Sequence, residues 1–182
     1  DGSLRAEVLL RRQLERLAEH DIRVFVVPGE TDPSGDWRGV GHLPDNVTTL
    51  LEANDDPVAV IRDGKVIASV AAIDVRSLGG SPAATAPDAA QSEAHRGPLT
   101  IGFLVSGDIL QSPAAANASG LASLLADCRL DYLALGGPGE RQTVAMKTGI
   151  AHHPGAAQAI TVDETGPRGC TLVEIDQAPI GR

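Results

Sequence analysis

The chain has 182 residues, of which 42% are hydrophobic and 21% charged, so it is long enough to bury a real core and ordinary in balance for a globular protein. Its formal net charge of −9 repels phosphate backbones and denies it the electrostatic footprint of a stand-alone nucleic-acid binder, although bound divalent cations would reverse the local sign at a site. Only 2% of the residues are aromatic, which leaves the core to Val, Leu, Ile and Ala.

In chain order, residues 4–20 read as an amphipathic helix: Leu10, Leu14 and Leu17 share one face, while Arg11, Arg12, Glu15, Arg16 and Glu19 cover the other as a solvated surface. Residues 22–27 follow as a β-branched, buried strand, and helix, short turn, then strand is an αβ unit. The strand stops at Pro28-Gly29, and the acidic turn Glu30-Thr31-Asp32-Pro33 comes next, in the place where α/β enzymes keep their chemistry. Residues 33–46 are a Gly-, Pro- and Asp-rich loop, and 47–53 are expected to form a short helix with Asn46 as its N-cap. Two strand-like runs, 58–61 and 66–71, flank Asp63-Gly64 and predict a β-hairpin.

Residues 76–98 are low in complexity and dominated by Gly, Ser, Pro, Ala and Thr. The halves on either side are small for independent domains, so this stretch reads as a loop insertion within a single domain covering 1–182. Residues 99–105 predict another buried strand, ending at Ser106-Gly107-Asp108, and 119–129 a helix with Leu121, Leu124 and Leu125 on one face. The strand expected at 132–135 stops at Gly136-Gly137-Pro138-Gly139, and short strands are expected at 143–146, 150–152, 157–162 and 170–175.

Several of these pieces, in this order and spacing, resemble the calcineurin-like metallophosphoesterases, above all the SbcD-type DNA repair exonucleases. In that family a strand like 24–27 ends in Pro-Gly-Asn-His-Asp; here Pro28-Gly29 and Asp32 match. The run from Asp131 to Gly136 resembles the strand before the family's Gly-His-x-His motif, Ala151 to Gln158 its Tyr-Pro-Gly-Ser segment, and Gly166 to Ile175 its Lys-Gly-x-x-Leu-Val-Glu-Ile strand. The resemblance implies an α/β (α+β layered) fold, a two-sheet metallophosphoesterase-like β-sandwich flanked by helices, and leaves open whether the N-terminal strand is missing. It also implies a site for two divalent metals, commonly manganese, which would hold a phosphodiester and a hydroxide in line. Asp, His and Asn side chains from several loops must converge to bind such ions.

The ligand positions implied by the resemblance carry the wrong side chains. The motifs Asp-x-His and Gly-Asp-x-x-Asp would precede Leu4 and are absent from the chain, which leaves two alternatives: they were truncated, or the second ends near Asp1. In the third, Glu30 stands for an Asn ligand and Thr31 for the catalytic His. The strand-end His of the fourth falls at Ser106, and the two histidines of the fifth fall on Gly137 and Gly139, which have no side chain to offer. A weak mononuclear site would remain to Glu30 and Asp32 with His42 or His153, although an acidic turn is the simpler reading. His152 and His153, adjacent on a strand, point to opposite faces and read as structural or surface histidines. His20 and His95 read as incidental. The Gly-rich run 136–139 lacks the Lys-Ser/Thr of a phosphate loop, and Ser106 lacks a nucleophile elbow.

The expectation is therefore a metallophosphoesterase-like domain without catalytic residues or cofactor, kept for a structural or interaction role with a protein partner or as a homodimer. The alternative is an active phosphodiesterase or DNA exonuclease, using Mn2+ or another divalent metal and acting on DNA, with its missing motifs upstream. A third reading makes the emptied cleft a small-molecule site. No apolar run approaches the roughly 20 residues that span a bilayer, no signal peptide is visible, and the two distant cysteines, Cys128 and Cys170, read as buried hydrophobes; the expected location is the cytoplasm, with no membrane partner.

Overall fold

The computed structural model describes residues 4–27, 43–50, 57–73, 99–104, 123, 125, 130–136, 140–159, 165–166 and 168–175. The helix α1 spans Leu4–Ala18, with Leu14 buried, Leu17 half-buried and Leu10 36% exposed. It ends in a left-handed cap. Asp21 adopts φ 55°, Ile22 N–H donates to Leu17 O at 3.0 Å and Asp21 N–H to Ala18 O at 3.0 Å. This is a Schellman arrangement in which a short polar side chain takes the place usually given to glycine.

Strand β1 (Val24–Val26) follows at once and pairs in parallel with β2 (Val47–Thr49), Val24 opposite Val47 and Val26 opposite Thr49. Residues 47–49 are thus a strand, not the start of the expected helix. Val47, Thr48 and Thr49 are all β-branched and fit a pleated surface better than a helical turn. Asn46 is likewise no N-cap: its Nδ2 donates to Ile22 O at 2.8 Å, and its own carbonyl accepts Val24 N–H at 2.9 Å. The side chain ties the end of the helical unit to the strand pair.

The second sheet has six strands in the order β3-β4-β5-β6-β8-β7. Strands β3 (Val58–Arg62) and β4 (Lys65–Ile73) form the hairpin expected from Asp63-Gly64. Both turn residues have positive φ (51° and 71°), the combination that a type I′ turn requires. Strand β4 then runs parallel to β5 (Thr100–Leu104), β5 to β6 (Tyr132–Leu135), and β6 to β8 (Ile150–His153). Strand β7 (Gln142–Ala145) closes the far edge antiparallel to β8.

The sheet is covered on both faces, and the period of two shows it directly. Along β4, Val70 and Ala72 enter one apolar cluster with Leu50, Phe25, Val27, Ile101 and Phe103, while Ala71 and Ile73 enter another with Leu104, Leu125, Leu133, Leu135 and Ala151. Phe25 of β1 meets Phe103 of β5 with ring centroids 6.4 Å apart, so the small parallel pair lies against one face of the large sheet. Ser123 and Leu125 have helical backbone, and Leu125 is completely buried against the other face. Among the described residues, helical segments, layered sheets and parallel crossovers make the fold α/β, in accord with a metallophosphoesterase-like architecture.

Two further expectations fail. Residues 170–175 form no strand, and Leu172 is 85% exposed. Strand-type composition makes a strand only where a neighbouring edge is present to pair with it. Residues 157–159 are also outside any ladder. The loop insertion at 76–98 and the remainder of the helix expected at 119–129 lie outside the described residues.

Candidate functional site

In open α/β sheets, sites form beyond the carboxyl ends of parallel strands. Here those ends are level. Ile73 pairs with Leu104 and Leu104 with Leu135, and Ala134 opposite His152 brings His153 to the same edge. The chain therefore leaves β5 and β6 from adjacent positions. The register is held from below by Asp131, which accepts hydrogen bonds from Thr100 N–H and Thr100 Oγ1, both at 2.7 Å, while donating its own N–H to Thr100 O at 3.0 Å. A glycine is needed within this frame: a Cβ on Gly102 would fall 2.5 Å from Leu130 Cδ1 and 3.0 Å from Leu133 Cδ1.

The positions matching the family's ligands, Glu30, Thr31, Asp32, Ser106, Gly137 and Gly139, lie outside the described residues, as does His42. What the structure places is the set of strand ends that lead to them, together with His152 and His153. His20, expected to be incidental, donates from Nδ1 to Arg16 O at 2.9 Å, just past the end of α1.

Both histidines on β8 are buried, at 5% and 1% exposure, and neither is a surface residue. His152 sits opposite Thr143 in the β7–β8 register, its Nδ1 is 2.7 Å from Thr143 Oγ1, and its Nε2 is 2.8 Å from Thr171 Oγ1. A neutral ring has one N–H and one lone pair, and a hydroxyl can give or take, so this pair of threonines satisfies it completely. Burial holds the His152 pKa below the ordinary imidazole value, and the positive charge of Arg141 and the neighbouring His153 push in the same direction. His153 accepts the Gly155 N–H on Nδ1 at 3.0 Å. In the neutral ring the proton then sits on Nε2, which makes that nitrogen a donor and not a ligand.

These contacts decide how well the described residues suit a metal. His152 has both nitrogens engaged by hydroxyls, and His153 presents a proton where a cation would need a lone pair. Among the described residues no group of three or more His, Cys, Asp or Glu side chains could hold an ion. The described part of the edge does not fit a dinuclear centre, and no chemical step is routed through one.

Sequence reasoning missed the residues that fix these rings. Thr143 and Thr171 are unremarkable in the chain, and they become partners of His152 only through the β7–β8 register and the return of residues 168–175. The Thr100–Asp131 clamp was equally silent, since 31 residues separate its halves.

No protein-family profile matches the chain. Over 186 aligned residues, 98% of the chain, it is 30% identical to a protein of Bacillus subtilis (strain 168) named "Uncharacterized metallophosphoesterase YhaO". The chain spans 43% of that relative's length. Together with the layered α/β sheets, this similarity supports a metallophosphoesterase-like domain. Among the described residues no helix is long and apolar enough to cross a membrane.

Proposed function

We propose that the chain is a metallophosphoesterase-like domain of the SbcD type whose dinuclear metal site has decayed, and that it serves a structural or interaction role in the cytoplasm, through a protein partner or its own second copy. The observation that carries this reading is the chemistry of the substituted positions. Thr31 and Ser106 replace imidazoles with weak neutral oxygens, and Gly137 and Gly139 replace them with nothing. Nitrogen ligands cannot be recovered from those residues, and the two histidines nearest the edge are spent on threonine hydroxyls and a backbone amide. The direct test is metal analysis of the full chain after equilibration with manganese and desalting. Less than a tenth of an equivalent is expected, and two ions per chain would overturn the reading.

A second reading is favoured by the printed name of the relative and by Asp32, the one residue of the Pro-Gly-Asn-His-Asp motif's acidic end that is retained. In that reading the domain belongs to an active metal-dependent phosphodiesterase or DNA exonuclease. Manganese-dependent hydrolysis of bis(p-nitrophenyl) phosphate or of linear DNA, abolished by Asp32→Ala, would establish it and exclude the first.

A further inference from the structure

We draw no further inference here: the strongest candidate, the exposed apolar surface that Leu4, Val8 and Leu9 present on the first turns of α1, carries nothing because nothing in the structure shows what covers it.

Discussion

Gly149→Ala should unfasten the start of β8. An ideal Cβ at this position falls 2.0 Å from Asp131 O, 2.5 Å from Asp131 C and 2.6 Å from Leu130 O, whereas ordinary contact begins near 3.4 Å. The obstacles are backbone atoms, so no rotamer relieves them, and the turn must retreat by about 3.4 − 2.0 = 1.4 Å. Two hydrogen bonds join it to that backbone, Ile150 N–H to Asp131 O at 3.2 Å and Thr148 Oγ1 to Leu130 O at 3.1 Å. A retreat of that size breaks both. Each contributes about 1 kcal/mol net, and loosening Ala151 from its completely buried place adds a similar amount, so the loss is roughly 2–4 kcal/mol. In a chain of this size that lowers Tm by roughly 4–16 °C, measured by differential scanning calorimetry or thermal circular dichroism. Gly136→Ala is the control: among the described residues nothing lies within 4 Å of its added Cβ, and its stability should stay within about 0.5 kcal/mol of the parent. A Gly149→Ala protein as stable as Gly136→Ala would refute the argument from close approach.

Acid should weaken the fold through His152. Because its folded-state pKa is depressed, the unfolded chain binds the proton first; stability is complete above about pH 6.5 and falls as the pH drops below it, by at most about 1.4 kcal/mol per unit. Urea titrations between pH ~8 and ~5 should show this limb in the parent and lose it in His152→Gln; a parental profile flat down to pH ~5 contradicts the burial argument. Asp131→Ala removes Oδ2, the one acceptor shared by Thr100 N–H and Thr100 Oγ1, and leaves a half-buried N–H unpaired, which should cost roughly 2–4 kcal/mol in the same titration; a loss under ~0.5 kcal/mol would mean that the clamp does not hold β5 to β6.

The elements that were legible in the sequence are those whose signal is local. Asp63-Gly64 marks its own turn, because both positions need positive φ, and the strand at 132–135 is bounded by its own glycines. The leucine spacing of α1 is carried within a few turns. What could not be read was everything that depends on a partner distant in the chain. Residues 47–49 became a strand because β1 offers an edge 23 positions earlier, Val24 to Val47, whereas 170–175 join no ladder despite their strand-type composition. At the site, Glu30, Thr31, Ser106, Gly137 and Gly139 lie outside the described residues, and the fixing of His152 and His153 was not legible, since it rests on register and on a backbone turn.

The proposed loss of metal ligands would be compatible with retention of the fold for a physical reason. The two apolar clusters are built from residues inside strands and from Leu50, Leu125 and Leu130; none is a position that the family uses for ligands. Ligand loops extend from the carboxyl ends of strands whose registers are already set by backbone ladders, by the Thr100–Asp131 clamp and by the close packing over Gly102. Opening a cavity and stranding a buried polar group are the two main routes by which single changes become severely destabilising, and on the proposed reading a substitution in a solvated strand-end loop would take neither. Replacement of a core residue is different. Leu133 is completely buried between β5 and β8, and trimming it to Ala would remove roughly 2–5 kcal/mol. On the proposed reading, selection for folding bears on residues like Leu133 and would leave the strand-end loops free to change.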